Sequence, residues 1–200
     1  MKFPTQEKEK KLWKKGFKYV AGVDEAGRGA LAGPIFAAAV IFKKGVKVKG
    51  VNDSKKLTPE KREPLFKKIK KKALAWSVAS LTHKQIDKLG IQVTNIKVME
   101  KAVNNLKIKP NFILIDAHKL KLKIPSASIV KGDEKVYSIA AASILAKVSR
   151  DHLMIRLSKK HPLYQWEINK GYGTARHLAA IRKHGPCGFH RQSFKPLKKS

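Results

Sequence analysis

Asp24 and Glu25 close a short apolar run, residues 19–23, and Gly27, Arg28 and Gly29 follow almost at once. A second aspartate, Asp116, closes another apolar run that begins at residue 111. Carboxylates brought to one place repel each other, because like charges resist ionising together. A divalent cation resolves that conflict, and hard oxygen ligands suit magnesium or manganese. Two such ions about 4 Å apart can activate a water and stabilise the leaving oxygen of a phosphodiester. Taken singly, each acid is served as well by a nearby lysine, an arginine or a helix cap. A strand-end Asp-Glu before a glycine loop, with a second strand-end Asp, weighs the metal-centred and the ion-pair readings about evenly.

The other reactive residues carry two readings each. Gly27-Arg28-Gly29 lets backbone approach a ligand closely, with amides free for a hydroxyl or phosphate, or it simply marks a turn. Lys55 and Lys56, after Asp53 and Ser54, can grip phosphates or face solvent. Tyr172, between Gly171 and Gly173, can stack on a base or sugar, or plug a minor apolar cluster. Asp151 follows Lys147 by one helical turn, and an i,i+4 ion pair accounts for it. Asp53, Asp87 and Asp133 lie in loops or near helix starts, where capping explains them. His184, Cys187 and His190 lack the fourth ligand that a structural zinc needs.

For Asp24 and Asp116 to meet, their strands must be parallel neighbours, with both acids at the carboxyl edge where open α/β sheets place their sites. Glu25 can join them only if the strand stops at Asp24, since successive strand residues face opposite ways. Further strands are expected over residues 36–42, 74–81 and 127–130, with a third early strand over 45–51. Thr58, Pro59 and Glu60 have the look of a helix start, which Pro64 must either kink or delay. Helices are expected over 84–106, broken near Gly90, over 134–157 with a small-sided alanine face, and over 174–183. The fold class is therefore α/β, a mixed central sheet flanked by helices. Residues 1–18 read as an exposed basic lead-in with one or two helical turns, 19–160 as the core and 161–200 as a C-terminal extension.

The chain of 200 residues carries 45 Lys+Arg against 14 Asp+Glu, a formal net charge of +31. Such a field calls for a polyanionic partner or reflects a salty environment or a generally basic proteome, and nucleic acid fits because cationic side chains release the counterions condensed on phosphates. The single cysteine, Cys187, excludes an intrachain disulfide and fits a reducing cytoplasm. The charged N-terminus does not suit a signal peptide, and no apolar run approaches the ~18 residues of a membrane helix.

These residues resemble a known family, ribonuclease HII. The resemblance rests on Val20 through Gly29 (VAGVDEAGRG), Asn52 through Leu57 (NDSKKL), Leu114-Ile115-Asp116, Val130 through Asp133 (VKGD) and Ser138 through Asp151 (SIAAASILAKVSRD). Lys170-Gly171-Tyr172, His177, His184-Gly185 and His190 through Phe194 (HRQSF) continue it in the family's order. It implies a ribonuclease H-like fold with a helical C-terminal extension. It also implies metal-dependent cleavage of RNA in RNA/DNA hybrids and at ribonucleotides within duplex DNA. By matching position it makes Asp24, Glu25, Asp116 and Asp151 the carboxylates for Mn²⁺ or Mg²⁺, which displaces the ion-pair reading of Asp151. It makes Gly27, Arg28 and Gly29 the sensors of the 2′-hydroxyl and Tyr172 a stacking residue at the ribose–deoxyribose junction. The high lysine content and Pro64 depart from the family's pattern.

Two rivals are weighed against this. A ribonuclease HIII relative carries an extra N-terminal domain, for which about 18 residues before the first motif are too few. A non-catalytic RNA-binding protein explains the charge equally well but not the acids at two strand ends. No heptad repeat argues for assembly, so a monomer is expected.

Overall fold

The computed structural model describes residues 3–197. Residues 1–2 of the expected lead-in and 198–200 of the expected extension lie outside the described residues. The strands are β1 (Val20–Ala26), β2 (Ile35–Ile41), β3 (Ala75–Leu81), β4 (Phe112–Asp116) and β5 (Ser126–Ile129). They form one five-stranded sheet in the order β3-β2-β1-β4-β5. β1 pairs antiparallel with β2, and β2 with β3, whereas β1–β4 and β4–β5 are parallel. The helices are α1 (Glu7–Lys14), α2 (Pro59–Lys72), α3 (His83–Leu89), α4 (Ile91–Asn104), α5 (Gly132–Lys135), α6 (Tyr137–Lys160), α7 (Trp166–Asn169) and α8 (Ala175–His184).

The period-two alternation of the strands sorts their side chains between two layers. Ala21, Val23, Ala37, Ala39 and Ile113 face α4, whose Val98, Met99, Ala102 and Val103 cover them. Ala38 and Val40 face the other way, into a cluster with Ala140, Ala141, Ile144 and Leu145 of α6 and Leu65 and Ile69 of α2. The small face of α6 lets that helix lie directly on β1. A Cβ added at Gly22 would stand 2.2 Å from the carbonyl carbon of Ser138, so no other residue fits at this crossing.

Several expectations shift. Residues 45–51 form no strand; Val48 and Val51 are buried in a loop, and the Tyr137 hydroxyl accepts the Val48 amide. α2 runs unbroken through Pro64. That proline is exposed, and so is Glu60, whose carbonyl loses the bond to water's benefit. The long helix begins at Tyr137, after α5 and an extended Val136. α1 is no free lead-in: Gln6 and Glu9 are buried, and Glu9 Oε1 accepts the Ser138 amide at 2.8 Å, capping the start of α6. Leu12, Trp13 and Phe17 cover Val20, Leu114 and Ile139.

Candidate active site

The two strand-end aspartates meet as expected. β1 and β4 are paired in parallel up to Val23 opposite Ile115, which sets Asp24 and Asp116 next to each other at the carboxyl end of the sheet. β1 does not stop there. It continues through Glu25 to Ala26, paired only with β2, so Asp24 and Glu25 both project beyond the end of the β1–β4 pairing. Both line a cavity of about 240 Å³ together with Gly27, Arg28, Gly29, Ser54, Lys55, Asp116, Lys147 and Tyr172. The convergence of Glu25 therefore needs no strand end at Asp24, only the open edge left by the shorter β4.

A third aspartate completes the cluster, and sequence reasoning assigned it elsewhere. Carboxylate oxygens of Asp24, Asp116 and Asp133 lie within 4.8 Å of one another. Asp133 makes no side-chain cap on α5. Its Oδ2 instead lies 3.0 Å from Lys55 Nζ. The preceding amide explains the placement: Gly132 N–H donates to Asp116 Oδ1 at 2.6 Å, which fastens the start of α5 to the end of β4.

Asp151 stands outside this group. Its Oδ1 is 2.8 Å from Lys147 Nζ and its Oδ2 is 3.8 Å from Arg62. The helical pair that its spacing suggests is present, and the carboxylate is neutralised by its neighbours. Lys56 is also elsewhere, exposed and 2.9 Å from Glu134. Tyr172 borders the cavity with its ring 5.2 Å from the Arg150 guanidinium and 5.5 Å from Lys147 Nζ.

The electrostatics of the cluster are those of a site short of positive charge. Burial, and then the charges of Glu25 and Asp116, push the Asp24 carboxyl well above its ordinary range, against a hydrogen bond from Ser143. Burial and Asp116 raise Glu25, which Arg28 partly opposes. Burial raises Asp116 as well, against the Gly132 amide. Lys55 is pulled down by burial but held above its ordinary value by Asp133 and the neighbouring carboxylates.

The family model described as Ribonuclease HII matches residues 21–197. A ribonuclease HII of Caldicellulosiruptor bescii is 51% identical over 187 residues, 93% of this chain and 91% of the relative. The chain belongs to the ribonuclease HII family. It is accordingly a divalent-metal-dependent endoribonuclease of the ribonuclease H type. The fold agrees. The ribonuclease H2 of Pyrococcus horikoshii superposes with a TM-score of 0.76 at 28% identity, covering 90% of this chain and 95% of that one. The ribonuclease HII of Archaeoglobus fulgidus, solved with PCNA, gives a TM-score of 0.75 at 25% identity over 91% of this chain and 98% of that one.

The residues present fit a ribonuclease HII metal centre. Asp24 and Asp133 are buried, Asp116 is half-buried, and Glu25 Oε2 is buried with no partner among the described residues. An acid cluster of this kind, with one exposed lysine as counter-charge, matches the donor chemistry of Mg²⁺ or Mn²⁺. Ser143 was not singled out from sequence because it lies among the small residues of α6, where packing accounts for it.

Proposed function

We propose that this ribonuclease HII cuts the RNA strand of RNA/DNA hybrids and cuts on the 5′ side of single ribonucleotides embedded in duplex DNA. The observation that carries the reading is the meeting of Asp24, Asp116 and Asp133 beside the Gly27-Arg28-Gly29 loop. Among the described residues nothing accepts the amides of Gly27, Arg28 or Gly29, so three consecutive donors are free on the loop that lines the cavity with Asp24 and Asp116.

Asp24, Glu25, Asp116 and Asp133 would hold Mn²⁺ or Mg²⁺, with Asp133 in the place expected of Asp151. When two such ions are bound they supply Lewis acidity at the phosphate and a water made nucleophilic. The water oxygen joins phosphorus as the bond to the preceding 3′-oxygen breaks, leaving a 3′-hydroxyl and a 5′-phosphate on the ribonucleotide. The loop amides select the site, because the 2′-hydroxyl is the group that separates RNA from DNA. The half-buried Tyr172 ring, with two cations beside it, stacks on the sugar or base at the junction. Arg28 and Lys55 add positive charge at the mouth.

The reading places a monomer in the cytoplasm, which suits a chain with a single cysteine. Among the described residues no helix is long and apolar enough to cross a membrane.

The test is cleavage of four substrates in Mg²⁺ and in Mn²⁺: a duplex with one ribonucleotide, an RNA/DNA hybrid, an all-DNA duplex and single-stranded RNA. Cuts in the first two, with 3′-hydroxyl and 5′-phosphate ends, are expected. Binding without any cut would favour the RNA-binding reading.

A further inference from the structure

Two guanidinium groups fasten residues 27–34 from below. Arg150 of α6 is fully buried and donates from Nε to the Pro34 carbonyl at 3.0 Å and from Nη2 to the Ala32 carbonyl at 3.1 Å. Arg191, also fully buried, donates from Nε to the Gly33 carbonyl at 3.0 Å and from Nη1 to the Arg28 carbonyl at 2.9 Å. The backbone adds to this attachment: Arg191 N–H donates to the Leu31 carbonyl at 2.8 Å, and Gly33 N–H to the Phe189 carbonyl at 2.9 Å. Asp87 of α3 holds the next residues, accepting the amides of Gln192 and Ser193 at 3.1 and 2.9 Å.

The bond to Arg28 has a directional consequence. In a planar trans peptide the carbonyl and the following N–H point opposite ways. Drawing the Arg28 carbonyl inward therefore turns the Gly29 N–H outward, and Gly29 lines the cavity of the acids. A buried guanidinium is a costly way merely to hold a tail, the more so because Arg191 Nη2 is left without a partner among the described residues.

We propose that Arg191 is a positioning residue for ribonucleotide recognition, holding the Arg28 peptide so that the Gly29 amide faces the substrate's 2′-hydroxyl. The inference rests on the role proposed above for the Gly27-Arg28-Gly29 loop. It assigns to the C-terminal segment a part in selectivity that no contact with the acids would reveal.

The test uses the full chain with Arg191→Lys and Arg191→Met. Lysine keeps the charge but cannot span two carbonyls with one ammonium. Methionine keeps much of the volume and removes the buried charge, a change that folded proteins often accept. Ile181→Ala, a buried residue of the same C-terminal cluster, is the destabilised control. Three quantities are read: kcat and KM on a duplex with one ribonucleotide, the inhibition constant of the same duplex without it, and Tm. Both Arg191 variants are expected to lose about tenfold or more in kcat/KM, the scale of a misplaced contact. The all-DNA inhibition constant should stay within about twofold, since phosphate contacts are untouched. Ile181→Ala should keep wild-type kcat/KM whatever its Tm. A folded Arg191 variant with unchanged kcat/KM, or an equal loss in Ile181→Ala, would overturn the proposal. If the wild type itself cut the all-DNA duplex as well as the ribonucleotide duplex, the loop's role would fail and this inference with it.

Discussion

Lys147 and Asp151 lie one turn apart on α6 and are joined by an ion pair, Nζ to Oδ1 at 2.8 Å. Arg62 approaches the other oxygen, and its Nη1 donates to the carbonyls of Ser54 and Leu57 at 2.8 and 2.6 Å. Asp151 thus braces the segment that presents Lys55, whereas a carboxylate oxygen of Asp133 lies within 4.8 Å of those of Asp24 and Asp116. Two similar substitutions should therefore separate. Asp133→Asn should lower kcat by about 100-fold or more, the scale of removing a metal-binding carboxylate. Asp151→Asn should cost about tenfold or less in kcat, as supporting residues do. It should also cost about 2 kcal/mol of stability through its charged hydrogen bond to Lys147. Steady-state rates and thermal denaturation of both variants check this; equal loss of kcat would restore Asp151 to the metal site.

Tyr172 is held from two sides. Its carbonyl accepts from His177 Nδ1 at 2.9 Å, and its ring lies beside Arg150 and Lys147. If the ring rather than the hydroxyl is what binds, Tyr172→Phe should keep kcat/KM within about twofold, and Tyr172→Ala should lose about tenfold or more, as base stacking is worth ~1–3 kcal/mol. A loss as large in the phenylalanine variant would assign the role to the hydroxyl.

The His177–His190 pair makes stability depend on pH. Their Nε2 atoms are 3.2 Å apart, and the Cys187 amide donates to His190 Nδ1 at 3.0 Å. Both rings are satisfied when neutral. Burial, and then the neighbouring His177, lower His190 from 6.5 to about 4. A histidine depressed in the folded state binds its proton more readily when unfolded. Its contribution is thus complete above the unfolded value and is lost as pH falls from 6.5 towards 4. The difference in Tm between the wild type and His190→Asn should shrink across that window. A difference independent of pH would contradict the neutral pair.

The carboxylates work in the opposite sense. Asp24, Glu25 and Asp116 are all raised, so in metal-free protein their contribution to stability is fully present below their ordinary values and is lost as pH rises through their folded values. Adding Mg²⁺ or Mn²⁺ at neutral pH should raise Tm, because a ligand that binds only the folded state stabilises it by mass action. That gain should vanish below about pH 4, where free carboxyls are protonated. A gain that persisted in acid would place the bound ion elsewhere.

Asp24 and Asp116 were legible because both follow apolar runs buried on two faces, and such runs mark central strands. The alanine face of α6 was legible for the same reason, as packing leaves a compositional trace. Asp133 was not. Its position in the first turn of a short helix suggests a cap, and only the Gly132–Asp116 bond, which joins segments sixteen residues apart, shows otherwise. Arg150 and Arg191 were hidden among 45 basic residues, since nothing in a local pattern tells a buried guanidinium from a solvated one. Pro64 produced neither the expected kink nor a delayed start because the helix loses its bond where solvent can replace it.

The central claim is that the carboxylates of Asp24, Asp116 and Asp133 form one divalent-metal site. Calorimetric titration of Mn²⁺ into the wild type, Asp116→Asn and Asp133→Asn tests it most directly. Binding by the wild type is expected, with a loss of about tenfold or more in affinity for each variant, as a ligand is removed. Unchanged Mn²⁺ affinity in either variant, with the fold intact, would contradict it.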